Sequence, residues 1–281
     1  AVLGMPVGFH LAAVSDDGQR LLFVEWTATR AAIADRHGEI LGEPVSLAPL
    51  PNGAFSRSFF AAVRNGEFLV ARFVRKDGSS SLDLTADRID SSGRLVSSVR
   101  TNLPVEFNEN HVMAGGGDGY LVVAQDPAVT AYRLDASGIF TGTAMTLVAD
   151  DPDLRHIGYR PAVVRDGSRF LVAWHMSFNH GESEVRIAAI PDGATSVSET
   201  RRVGLWPGIS GGIALAAERT QIIALASVNV LDTITGPDLF SIRISPSLAG
   251  DAPRIVGTSR TAQAPIEAAA GDNGFGVVWI E

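Results

Sequence analysis

Three observations predict an all-β chain built from one repeated four-stranded unit. An apolar run, a tight turn and a second apolar run recur six times. The copies are spaced by about fifty residues, and no stretch keeps a helical period between capping residues. Four short strands per unit of that length is the arithmetic of a β-propeller blade. An ordinary antiparallel sandwich explains hairpins, but not six of them in one register.

The first copy reads Leu11-Ala12-Ala13-Val14, a turn at Asp16-Asp17-Gly18, then Leu22-Phe23-Val24-Glu25-Trp26. The second has Ala61-Ala62-Val63, Asn65-Gly66 and Phe68-Leu69-Val70-Ala71. His111-Val112-Met113-Ala114, Asp118-Gly119 and Tyr120-Leu121-Val122-Val123 make the third. The fourth is the fullest: Pro161-Ala162-Val163-Val164, Asp166-Gly167 and Phe170-Leu171-Val172-Ala173-Trp174. A worn fifth copy runs Ile213 to Leu225 without the turn glycine, and the sixth places Asp272-Asn273-Gly274 before Phe275-Gly276-Val277-Val278-Trp279. Asp-Gly and Asn-Gly between apolar runs mark hairpins, because these residues tolerate positive φ. Third and fourth strands follow, as in Val185 to Ile190 before Asp192-Gly193 and Ile40 to Val45. The count is 23 strands in six blades, at approximately 8–53, 54–106, 107–153, 154–208, 209–263, and 264–281 together with 1–7. The segment Ala1 to Val7 is expected to close the last blade, which removes an exposed sheet edge. A fragment of a seven- or eight-bladed ring is the competing count. One domain spans the chain in this reading.

The unit Pro-Ala-Val-Val-x-x-Gly-x-x-Phe-Leu-Val-Ala-Trp at 161–174 resembles a repeat of large secreted bacterial proteins. The resemblance covers essentially the whole chain. It implies a β-propeller and an extracellular or cell-surface setting, and it carries no catalytic residues with it. Marks of enzyme-bearing or calcium-binding propellers are missing: Ser15-Asp16-Asp17-Gly18 has the residues of a sialidase Asp-box at the wrong spacing.

Composition narrows the function. Of 281 residues, 46% are hydrophobic and 19% charged, which supports a large core and excludes disorder. No apolar run approaches the roughly 18 residues of a membrane helix. A net charge of −8 argues against nucleic acid and anionic membrane surfaces. With no Cys there is no disulfide, thiolate metal site or cysteine nucleophile. Lys76 is the single lysine beside 22 arginines, the codon bias of a GC-rich bacterial genome. No cofactor and no metal are expected, and the chain reads as a monomer.

In a propeller, linkers between blades and turns between second and third strands gather on one face, where ligands meet them. The fourth blade carries the richest such loops. Its linker includes Arg155, His156, Tyr159 and Arg160, and its second-to-third turn includes His175, Asn179 and His180. His with Tyr and Arg suits proton abstraction beside a carboxylate, although a solvated polar loop has the same composition. His111 opens the third blade's inner strand, where a structural role competes with ligand contact. Trp206, in a blade-to-blade linker, breaks the register of Trp26, Trp174 and Trp279, so it is the candidate for stacking on a sugar while those three pack between blades. The basic stretch Arg72 to Gly78 reads as a solvated loop. The function that follows is a non-catalytic binding or scaffold propeller presenting one face to a protein or glycan. The alternative is a carbohydrate-active lyase or hydrolase using His156, Tyr159, Arg160 and His175.

Overall fold

The turn glycines set the hairpins as their sequence requires. Asn65 and Gly66 adopt φ of 51° and 76°, and Gly18 and Gly167 adopt 67° and 60°. The two-residue turn at Asn65-Gly66 matches the right-handed twist of the strands it joins. The computed structural model describes residues 8–14, 18–25, 27–50, 58–75, 82–104, 111–126, 128–148, 154–157, 161–167, 169–179, 182–207, 209–218, 221–229, 238–258, 266–271 and 274–279.

Among the described residues the chain is all strand and turn. The first blade comprises β1 (Phe9–Val14), β2 (Arg20–Glu25), β3 (Arg30–Asp35) and β4 (Val45–Ser46), hydrogen-bonded in that order. The second comprises β5 (Ser58–Arg64), β6 (Glu67–Arg75), β7 (Leu82–Ile89) and β8 (Leu95–Leu103). The third comprises β9 (His111–Gly115), β10 (Gly119–Asp126), β11 (Ala128–Asp135) and β12 (Phe140–Val148). In the fourth, β13 (Leu154–Ile157) joins β14 (Ala162–Asp166), β15 (Arg169–Phe178), β16 (Glu182–Pro191) and β17 (Glu199–Pro207) in a five-stranded sheet. The worn copy is a complete fifth blade: β18 (Ile209–Glu218), β19 (Gln221–Asn229), β20 (Asp238–Ile244) and β21 (Arg254–Thr258). A two-stranded hairpin follows, β22 (Ile266–Gly271) with β23 (Gly274–Trp279). No helix among the described residues is long and apolar enough to cross a membrane.

The expected count of six blades is corrected to five. The sixth copy supplies one hairpin rather than a sheet, and the segment 1–7 expected to extend it lies outside the described residues.

The residues group into two compact units: 1–109 with 113–122 and 132–143, and 110–112 with 123–131 and 144–281. In the first unit, alternate residues of β2 and β6 (Leu22 and Val24, Phe68 and Val70) meet Ala31, Ile33 and Ile89 in one core. In the second, Leu171 and Ala173 of β15 and Val185, Ile187 and Ala189 of β16 pack against Ile213, Leu215, Ala224, Ala226 and Ile242 of the fifth blade. These are period-two faces, one side of each sheet buried against the next.

A turn between third and fourth strands repeats with its own chemistry. Asp35 Oδ1 accepts the amides of His37 and Glu39, Asp90 those of Ser92 and Arg94, and Asp135 those of Ser137 and Ile139. Gly38, Gly93 and Gly138 then turn at φ of 87°, 85° and 92°. The fifth blade makes the turn with Ser245, whose hydroxyl accepts the Ala249 amide, and with Leu248 at φ 61°. Leu248 is fully buried in the core between the fourth and fifth blades, so burial of its side chain offsets the strain of the left-handed conformation.

Candidate functional site

The fourth blade gains its fifth strand because the linker entering it folds back onto β15. Leu154, His156 and Ile157 pair with Phe178, Ser177 and Met176, while β14 pairs with the other half of β15, Ala162 opposite Ala173. The segment 154–157 is therefore held against 176–178 by backbone pairing. On the far side of β15, Ser177 pairs with Ser183, and Ser183 pairs with Trp206 of β17. His156, Ser177, Ser183 and Trp206 thus occupy one cross-strand row of four. With strands about 4.8 Å apart, the row spans roughly 14 Å.

The middle of that row is buried. Alternation along β15 puts His175 and Ser177 on the face of Leu171 and Ala173, which packs against the fifth blade. His175 and Ser177 are each 1% exposed and Ser183 is 0% exposed. The two serine hydroxyls meet at 2.8 Å. Polar side chains at the end of an apolar interface need each other in this way, since an unmet hydroxyl in a core is costly.

Several expected site residues sit differently from the sequence reading. His175 was expected in an exposed turn; it lies inside β15 and is buried. The strand runs on to Phe178 because Met176 and Ser177 are hydrogen-bonded on both sides, to β13 and to β16. Trp206 was expected in a linker; it lies in β17, since pairing with Ser183 continues to Pro207 opposite Glu182. Asn179 follows β15 in the turn and is exposed. Arg155 and His156 lie in β13 and His111 begins β9, each placed by its backbone. Tyr159, Arg160 and His180 lie outside the described residues. Trp174 is 0% exposed, as a packing residue should be.

The opposite face of the same blade holds a buried carboxylate. Glu184 accepts from Arg186 Nε and lies 3.8 Å from Arg202 Nη1. Trp174, opposite Arg186, and Met176, opposite Glu184, share that face. Nothing in the spacing of Glu184 announced this.

Two further polar centres were missed in the first unit. Arg72 follows Phe68-Leu69-Val70-Ala71 as Trp174 follows Phe170-Leu171-Val172-Ala173, so an arginine holds the tryptophan position of the repeat. It is buried in β6 rather than solvated in a loop, paired with the equally buried Asp87 of β7. Arg72 Nη1 donates to Ala28 O at 3.0 Å and Nη2 to Ala48 O at 2.6 Å, so one side chain grips the β2–β3 turn and the chain leaving the first blade. Arg100 adds a bond to Pro49 O at 2.7 Å. Burial pushes the Arg72 guanidinium below its ordinary pKa, and Asp87 opposes that shift.

The other centre is Glu25. Its carboxylate accepts Arg30 Nη2 at 2.8 Å, Thr29 Oγ1 at 2.7 Å and Thr27 Oγ1 at 3.0 Å. Arg30 first, and then Thr29, hold its pKa down at about 2. A carboxylate so saturated with donors stays ionised and has no proton to give, so it organises the turn and is no general acid. No group of three or more potential metal ligands occurs among the described residues.

No known sequence family matches the chain, and no curated protein sequence matches it. Solved structures resemble it in shape. A Bacteroides ovatus protein described as xyloglucan PUL GH43B is 12% identical, with a TM-score of 0.50 over 99% of this chain and 59% of that one. A Synechocystis apocarotenoid oxygenase is 11% identical, with a TM-score of 0.50 over 92% of this chain and 63% of that one. The chain thus spans about three-fifths of the length of each. At such identities the likeness speaks to fold alone. With the run of four-stranded sheets it gives the architecture: an all-β β-propeller with five blades.

Proposed function

We propose that this chain is a non-catalytic binding propeller of an exported bacterial protein, presenting the fourth-blade edge to a glycan. The observation that carries the reading is the fold-back of β13 onto β15, which joins the two polar segments picked out by the sequence. Loop-borne polar groups on a rigid scaffold are where propellers meet ligands. In this reading His156, Asn179 and Trp206 contribute to the contact, and the buried Ser177 and Ser183 stand between His156 and Trp206 in the same cross-strand row. The chain acts as a monomer, takes no cofactor, and meets neither nucleic acid nor membrane.

The test is a thermal-shift and calorimetric screen of neutral and acidic glycans, xyloglucan included. A ligand at 100 times its Kd stabilises by about 2.7 kcal/mol. The reading expects a hit that Trp206→Ala or His156→Ala abolishes while the unliganded melting temperature holds. A glycan hit indifferent to both substitutions overturns the site. Silence across the panel overturns the glycan and leaves a protein partner.

A second reading is favoured by the likeness in fold to the xyloglucan PUL protein: a carbohydrate-active enzyme using His156, Tyr159 and Arg160, with His175 left out by its burial. It expects new reducing ends, or ultraviolet absorbance from an unsaturated product, from at least one polymer. Binding without turnover decides against it.

A further inference from the structure

A guanidinium has five N–H groups to satisfy, and burying one makes each of them matter. Arg72 places Nη1 on Ala28 O and Nη2 on Ala48 O and Asp87. Its Nε–H meets no acceptor among the described residues. The residue directly opposite Arg72 in the β6–β7 ladder is Thr85, 1% exposed, and its hydroxyl meets no partner among the described residues either. Two orphaned polar atoms on one directly opposed pair is not a pattern that chance packing favours. Buried polar groups are nearly always satisfied.

Directly opposed residues have Cβ atoms about 4.5–5.5 Å apart, which leaves their polar ends within reach of one small molecule. The Arg72–Asp87 pair is already neutral in charge, so the site selects a neutral ligand over an ion. That ligand must accept a hydrogen bond from Nε–H and also donate to, or accept from, a hydroxyl. We propose that a single internal water bridges Arg72 Nε and Thr85 Oγ, as a fixed part of the second blade. It completes the polar layer through which this blade grips the Ala48–Pro49 chain.

The fourth blade repeats the circumstance at the same position of the repeat. Trp174 is fully buried, and its Nε1–H meets no acceptor among the described residues. Glu184 lies on the same face, two rows along the ladder. The proposal extends to a second water on Trp174 Nε1. A recurring buried donor at one repeat position, Arg in one blade and Trp in another, is what a hydration site inherited with the repeat looks like.

The test is a high-resolution crystal structure of the full chain, with thermal melts of Thr85→Val and Thr85→Ser. The structure is expected to show one water within hydrogen-bonding distance of both Arg72 Nε and Thr85 Oγ, and another on Trp174 Nε1. Valine keeps the shape of threonine and removes only the hydroxyl. If a water uses that hydroxyl, Thr85→Val lowers the melting temperature by about 2–4 °C, and Thr85→Ser retains the water. If the hydroxyl is a true orphan, Thr85→Val raises the melting temperature. A dry second-blade position, or an unchanged or raised melting temperature in Thr85→Val, overturns the proposal. A dry Trp174 overturns its extension to the fourth blade.

Discussion

Ser177 and Ser183 face each other across the β15–β16 ladder with their hydroxyls 2.8 Å apart and no exposure to solvent worth the name. They brace the row in which His156 and Trp206 stand at β13 and β17. Ser177→Ala or Ser183→Ala removes one partner of a buried hydroxyl, and each is expected to lower stability by about 1 kcal/mol. Losing both removes the mismatch, so the double variant should lose less than the sum, by about 0.5–1 kcal/mol. Urea melts of the four proteins give the coupling. Strict additivity would mean the two hydroxyls do not depend on one another.

Arg72 and Asp87 form the buried ion pair of the second blade. Asp87→Asn leaves a cation without its counter-charge in the interior and should cost about 3–5 kcal/mol. Arg72→Met combined with Asp87→Leu takes both charges away, and more than half of the loss should return. Chemical denaturation midpoints measure this. A double variant as unstable as Asp87→Asn would show that the grip on Ala28 and Ala48 matters more than charge balance.

Gly138 and Gly142 separate backbone strain from crowding. Both have strongly positive φ, 92° and 86°. A Cβ on Gly138 would lie 2.6 Å from Ala86 Cβ, whereas one on Gly142 meets open space. Gly142→Ala should cost about 1–2 kcal/mol from conformation alone. Gly138→Ala adds the overpacking of a tight contact, typically about 1–3 kcal/mol more. Equal losses would place the whole effect in φ.

Glu25 links the first blade to acidity. Its pKa falls from 4.5 to about 2 on folding, chiefly through the bond from Arg30. The folded form therefore holds its proton less readily than the unfolded chain. The stabilisation is present above about pH 4.5 and is lost as pH falls towards 2. The pair is close to solvent, so the effect is small. Melting temperatures of the wild type and Glu25→Gln should differ at pH 6 and converge near pH 2. A difference that persists unchanged at pH 2 would assign it to shape rather than charge.

How much was legible in the sequence depended on what each element needed from its own residues. Asn65-Gly66 and Asp166-Gly167 demand a tight turn locally, so their hairpins could be read directly. The strand β13 was not readable, because Leu-Arg-His-Ile has no alternation of its own. It becomes a strand only where Met176–Phe178 offer an edge. His175 was misjudged for the same reason, since its burial follows from that pairing and from the fifth blade. Arg72 is the instructive middle case. Its charge suggested a loop, but alignment of its copy with Phe170 to Trp174 puts it in a core position. The blade count failed where a sequence copy shows two strands and the other two must come from elsewhere.

The third-to-fourth turn has a consequence for how such a chain can lengthen. Gly93 of the second blade rests on Ile33 of the first, and Gly138 of the third rests on Ala86 and Leu69 of the second. The second blade thus carries both a plug, Gly93 in its outer turn, and a socket, Leu69 and Ala86 in its middle strands. A gene duplication that copies one unit therefore copies both halves of the joint, and the newcomer fits its neighbours without inventing a surface. In the worn fifth copy Leu248 stands at the glycine's place in the turn and is buried in the core shared by the fourth and fifth blades, so a large side chain can take the plug's position.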